Sequence, residues 1–206
     1  ISVDSSRFTD AAGNANPSNS LLLTIDTVLP TISITSSDSA LKAGETATIT
    51  FELSEASDDF GADDVNVTGG TITGFSGEGT SYTATFIPDE NSTASGLISV
   101  DSSRFTDAAG NANPSEVSLT LAVDTVVPGI TITTSDDALI AGETATITFT
   151  LTEGSSNFIR EDISVSGGTI GDLTEVSSTV YTAVFTPSTS STTAGVITVC
   201  LLYTSD

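Results

Sequence analysis

The chain has no histidine, tryptophan or methionine, one cysteine, and 4 lysines and arginines against 27 aspartates and glutamates. Each shortage excludes a class of function. Without histidine, the usual general base and the Ser-His and Cys-His nucleophile pairs are unavailable, which leaves only carboxylates for catalysis. The single cysteine, Cys200, cannot close an intrachain disulfide, so an extracellular location has to be argued from something else. A formal charge of -23 repels nucleic acid and anionic lipid and attracts cations. With no run of about 18 apolar residues and no basic or apolar leader at Ile1, no membrane insertion is expected of this segment. A hydrophobic content of 37% and a mean hydropathy of +0.19 are nonetheless too apolar for disorder.

What the chain has in abundance is repetition. "ISVDSSRFTDAAGNANPS" fills residues 1–18 and recurs letter for letter at 98–115, a period of 97 (98 less 1). A second alignment sets "DTVLPTISITSSDSALKAGETATITFELSE" from Asp26 against "DTVVPGITITTSDDALIAGETATITFTLTE" from Asp124. The expected organisation is therefore the C-terminal strands of a truncated preceding repeat at 1–25, a complete repeat at 26–123, and a repeat lacking its last strand at 124–199. After "GVITV" at 195–199, which matches "GLISV" at 96–100, the repeat should continue "DSSRFTDAAGN" but reads "CLLYTSD". That string back-translates as the end sequence of a transposase sequencing adapter. Residues 200–206 are expected to be non-native, the alternative being a divergent natural terminus, and Cys200 to carry no function.

Within a repeat the dominant period is two. Ala47, Ile49, Phe51 and Leu53 alternate with Thr46, Thr48, Thr50 and Glu52, as a strand with one buried face requires. Tyr82, Ala84 and Phe86 form a second such run, and Val117, Leu119, Leu121 and Val123 a third. Turn-forming clusters such as "SEASDDFGADD", "SGEGTS" and "TDAAGNANPS" separate them. About seven short strands per roughly 100 residues predict an all-β fold of tandem immunoglobulin-like antiparallel β-sandwich repeats. Lacking the cysteine pair and core tryptophan of antibody domains, each sandwich must close on aliphatic and Phe packing. The glycine pairs Gly69–Gly70 and Gly167–Gly168 precede strands, which predicts turns and not a phosphate cradle.

Taken together, "DTVxP", "AGETATITF", "DVxVxGGT", "YTATF" and "FTDAAGN" resemble the bacterial Ig-like repeats of very large surface adhesins and biofilm proteins. The resemblance covers the chain except its last few residues. It implies non-enzymatic spacer domains in an extended stalk, located extracellularly or at the bacterial cell surface, with neighbouring repeats of the same chain as partners. Calcium at or near domain junctions stiffens several such stalks, and it is the one cofactor suggested here. A ligand-binding module for glycan, ice or a host protein is the competing expectation, but sugar platforms usually need exposed Trp or Tyr, and the chain has 3 Tyr.

In a sandwich of this topology, the loop before the last strand lies at the pole where the first strand begins. Asp26, Asp107 and Asn111 would then converge with the loop carrying Glu55, Asp58 and Asp59, and Asp124 would open the corresponding site of the next repeat. Hard oxygens on loops suit calcium, which takes six to eight oxygen ligands in irregular geometry, whereas zinc and copper want softer ones. The competing reading is turn chemistry: Asp107 closes a turn in which Gly110 supplies positive φ and Asn111 bonds backbone, while Asp26 merely ends a strand before Pro30. The spacing is not that of an EF-hand. Asp63 and Asp64, adjacent on an expected strand, would point to opposite faces and form no catalytic pair.

Overall fold

The computed structural model describes residues 1–199, so the expected non-native tail and Cys200 lie outside the described residues. The chain divides into two compact units, one of Ile1–Val126 and one beginning at Val127. Among the described residues no helix is long and apolar enough to cross a membrane.

The first unit opens with β1 (Ser2–Val3) and β2 (Asn19–Ser20), an antiparallel pair with Ser2 opposite Ser20 and Val3 opposite Asn19. The complete repeat follows as β3 (Ile32–Ser36), β4 (Ala40–Lys42), β5 (Ala47–Ser57), β6 (Val65–Thr68), β7 (Gly70–Pro88), β8 (Gly96–Val100) and β9 (Val117–Asp124). Two sheets result, in the orders β3-β5-β7 and β4-β9-β8-β6. Every pairing in them is antiparallel except β4 with β9, which run parallel from Ala40↔Ala122 to Lys42↔Asp124. The antiparallel sandwich expected from the sequence is what forms, and the one short parallel pairing arises because β4 carries the chain across to the opposite sheet instead of turning back on β3.

The period-two pattern fixes the core. Ala47, Ile49, Phe51 and Leu53 of β5 are buried, as are Tyr82, Ala84 and Phe86 of β7 and Leu121 and Val123 of β9. The place of a disulfide and tryptophan is taken by a cluster of rings around Phe60. It meets Tyr82, Phe105 and Phe51 edge-on at centroid distances of 5.1, 5.4 and 5.7 Å, a favoured aromatic geometry. Tyr82 Oη donates to the Ser57 carbonyl at 2.8 Å, which satisfies the one polar atom brought into that cluster. The glycine pair is only half a turn: Gly69 holds φ at +71°, but a Cβ on Gly70 would sit 2.6 Å from the Phe86 ring. A Cβ on Gly96 of the facing sheet would lie 2.5 Å from the same ring, so both glycines are needed to seat Phe86 between the sheets.

The second unit repeats this plan with β10 (Ile130–Thr134), β11 (Ala145–Leu151), β12 (Ile163–Ser166), β13 (Gly168–Ile170), β14 (Thr174–Ser177), β15 (Val180–Pro187) and β16 (Val196–Val199). Strands β10-β11-β15-β13 form one sheet, with β14 also on β15, and β12 pairs with β16 in the other. Phe149, Tyr181 and Phe185 take the places of Phe51, Tyr82 and Phe86 in its core.

Candidate metal centre

The local chemistry of the β8–β9 loop is self-contained. Asp107 Oδ1 accepts from the Ala109 and Asn111 amides at 2.8 and 2.9 Å, and Oδ2 from Asn111 Nδ2 at 2.8 Å. Gly110 supplies φ of +89° to complete the turn. The identical residues at the start of the chain do the same without the rest of a repeat around them: Asp10 accepts from Ala12, Asn14 and the Asn14 side chain at 2.9, 2.9 and 2.8 Å. The turn reading of Asp107 is therefore right as far as it goes. These bonds, led by that from the Asn111 side chain, hold the Asp107 carboxyl below the usual aspartate range, so it is a committed anion.

What the complete repeat adds is company. Oxygens of Asp26, Glu55 and Asp107 all lie within 4.8 Å of one another. Asp26 comes from the linker ahead of β3 and Glu55 from the far end of β5, beyond Glu52↔Ser81, where the register with β7 shifts. Glu55 falls at an inward-facing position, in step with Ile49, Phe51 and Leu53. Its Oε1 is buried and has no hydrogen-bond partner among the described residues. Burial first, then the charges of Asp26 and Asp107, pushes the Glu55 carboxyl above its ordinary value. Asn111 Nδ2 reaches the Asp26 carbonyl at 3.4 Å and ties the loop to the linker.

Of the residues singled out in the sequence, the structure thus groups Asp26, Glu55 and Asp107, with Asn111 bonded to two of them. Asp59 does something else: it accepts from Thr106 N and Thr106 Oγ1, both at 2.8 Å, and from Ser57 Oγ at 2.7 Å, which fastens the β8–β9 loop to the end of β5. Asp58 is exposed and outside the group. Asp124 ends β9 and accepts from the Val126 amide at 3.2 Å, as Asp26 does from Val28 at 3.1 Å. Asp64 is not on a strand at all; it lies in a short 3-10 turn, Ala62–Asp64, and accepts from the Gly61 amide at 2.9 Å.

Two residues that organise loops of the first unit, one at this pole and one at the opposite end, went unread in the sequence. Asn113, fully buried, accepts from the Arg104 and Phe105 amides at 2.7 and 3.2 Å and donates to the Asp101 and Ser115 carbonyls at 2.8 and 3.3 Å. Thr125 Oγ1 donates to the Asp89 carbonyl at 2.6 Å and accepts from the Ser92 amide at 2.9 Å, which anchors the segment after β9 to the β7–β8 loop. Both are small polar residues in turn-rich strings, where their neighbours carry the same composition.

Three carboxylates on a linker, a strand end and a loop can hold one hard cation. Ligand oxygens at about 2.3 to 2.6 Å from calcium lie up to roughly 5 Å from each other across the ion, which the spacing here meets. The orphaned Glu55 Oε1 is the atom such an ion would satisfy.

The fold and this site define an acidic protein of tandem β-sandwich repeats with a group of three carboxylates at one pole of the complete repeat. Residues 26–123 and 124–206 each match the bacterial Ig-like domain family, and the chain belongs to it. Among solved structures, the chain is similar to that of FdeC, an Escherichia coli adhesin, at 18% identity and a TM-score of 0.45. The similarity covers 87% of this chain and 62% of that one. No curated protein matches the sequence.

Proposed function

We infer that the chain is a spacer, two stalk repeats of a large secreted or surface-anchored bacterial adhesin, with calcium bound by Asp26, Glu55 and Asp107. The observation that carries this is the origin of the three carboxylates. One lies on the linker, two on the body of the sandwich, so an ion shared among them fixes the linker to the domain that follows it. The work of such a domain is mechanical. The rings that a glycan platform would need support the spacer over a binding module, because every described Phe and Tyr except Phe8 is buried or half-buried in a core.

Thermal melts of the 206-residue chain in calcium, magnesium and chelator test the reading. Extracellular modules bind calcium at about 10⁻⁴ to 10⁻³ M, so a few millimolar should add about 1 kcal/mol by mass action. Glu55→Gln should raise the melting temperature in chelator, since it removes a buried charge held among like charges, and should abolish the response to calcium. Identical melts in calcium and chelator, at matched ionic strength, would remove calcium from the proposal.

A further inference from the structure

We propose that Asn91, on the turn between β7 and β8 of the first unit, is an acceptor for N-linked glycosylation. The proposal goes beyond the spacer reading and needs no calcium.

The sequence offers four places for such a linkage, and the structure and the chemistry close three of them. An asparagine can accept a sugar on its amide when serine or threonine stands two residues on and the residue between is not proline. Asn16, Asn66, Asn91 and Asn113 are each followed two residues on by Ser or Thr. Asn16 and Asn113 precede Pro17 and Pro114, and both amides are engaged inside their own loops, on the Asp4 and Asp101 carbonyls at 2.8 Å. Asn66, in Asn-Val-Thr, meets the sequence rule. It lies in β6 opposite Ser99 of β8, however, and its Nδ2 donates to Asp101 Oδ2 at 2.9 Å. Reaching that amide means breaking the bond and lifting the strand.

Asn91, in Asn-Ser-Thr, is left. Its backbone is left-handed, with φ of +52°, and its side chain is exposed and makes no hydrogen bond among the described residues. Thr93, whose hydroxyl completes the recognised string, is exposed and unbonded in the same way. The residue between them holds the turn in place: the Ser92 amide donates to Thr125 Oγ1 at 2.9 Å, and the Ser92 carbonyl accepts from the Thr125 amide at 2.8 Å. The turn is thus pinned at its middle, with both recognised side chains in solvent. Positive φ alone does not call for asparagine here. Ser190, three residues after Pro187 as Asn91 is after Pro88, holds the corresponding turn of the second unit at +54°, so the shape forms without the amide.

The donor is a sugar activated as a diphosphate ester, carried on a polyprenol or on a nucleotide. Asn91 Nδ2 attacks the anomeric carbon and forms the new N–C bond; the bond from that carbon to the diphosphate oxygen breaks, the diphosphate leaves with the electron pair, and the transferase takes the amide proton.

Two arms distinguish the donors. In one, the purified full chain is incubated with an asparagine transferase that uses a nucleotide-linked hexose; in the other, it is exported from cells that express a transferase using a polyprenyl-diphosphate-linked oligosaccharide. Residues 88–95 as a flexible peptide, free in the first arm and fused to an exported carrier in the second, set the conditions under which each transferase is active. Intact-mass and peptide mass spectrometry then count and place the sugars. One modified position, Asn91, is expected in at least one arm, and the arm identifies the donor. Asn91→Gln and Thr93→Ala should each abolish the modification while Thr93→Ser keeps it, and because neither side chain is bonded in the fold, the melting temperature should not change. Sugar on Asn66 as readily as on Asn91, or an unmodified protein in both arms under conditions that modify the peptide, would overturn the proposal.

Discussion

At the scale of single residues, the pole of the first unit is organised by side chains that stand in for backbone. Asn113 spans the β8–β9 loop with four hydrogen bonds, and at the start of the chain Asn16 makes the equivalent three to Arg7, Phe8 and Asp4, with its fourth to the Pro17 carbonyl, one residue short of the counterpart of Ser115. The two loops differ in what they hold down: Phe105 is buried beneath Asn113, while Phe8 is 64% exposed. Asn113→Ala strands two amides and two carbonyls over a closed core and should cost about 1 to 3 kcal/mol. Asn16→Ala opens a loop that secures no core, so its denaturation midpoint should match the parent's. Equal losses in urea titrations of the two variants would mean that the loop's bonds matter regardless of the ring beneath them.

At the scale of elements, the strands were legible wherever one face had to be buried. The period of two in "ETATITFEL" and "SYTATF" needs no partner to be recognised, and it assigned the core of β5 and β7 residue by residue. Continued by two residues it also puts Glu55 on the inward side of β5, whereas the turn-rich string around it was read as a loop shared with Asp58 and Asp59, and it was as a loop oxygen that Glu55 became a candidate. The crossing of β4 to the opposite sheet was not legible, because three residues carry no period and their pairing depends on β9. Asp59 lies beside the β8–β9 loop as expected, but its partner there was not legible: Thr106 lies 47 residues away, and only the closed sandwich brings the two together. The glycine pair was read as a turn because sequence shows conformational freedom more readily than close approach. Gly96→Ala tests the second role. Its methyl would meet the Phe86 ring, while Gly96 itself has no need of positive φ, so a loss of about 1 to 3 kcal/mol would report overpacking alone. Pairing it with Phe86→Leu should recover part of that loss; no recovery would place the cost in the backbone.

At the scale of the whole molecule, a charge of -23 sets the background against which every site acts. Self-repulsion favours the expanded chain, so sodium chloride should stabilise the protein without binding anywhere, and calcium has to be judged against that screening. Acid separates the contributions. Glu55 has its carboxyl raised in the folded state, so the folded protein binds more protons than the unfolded one between the ordinary glutamate value and the raised one, and stability increases as pH falls through that window. Asp107 runs the other way. It is held low by Asn111 and the loop amides, as Asp59 is, against its own burial, by Ser57 and Thr106. Their stabilisation is present above the ordinary aspartate value and is lost as pH falls through the lowered ones. In chelator, stability should therefore rise as pH falls from neutrality toward the ordinary glutamate value and fall again as pH drops below the ordinary aspartate value. Adding calcium should lift the neutral end and flatten the rise, because the ion competes with protons for Glu55. In Glu55→Gln, high salt should abolish what remains of the rise, since only general repulsion is left. A metal-free protein that loses stability steadily from pH 7 to pH 3 would show instead that Glu55 meets no net repulsion in the fold, and the carboxylate group would then have no call for a cation.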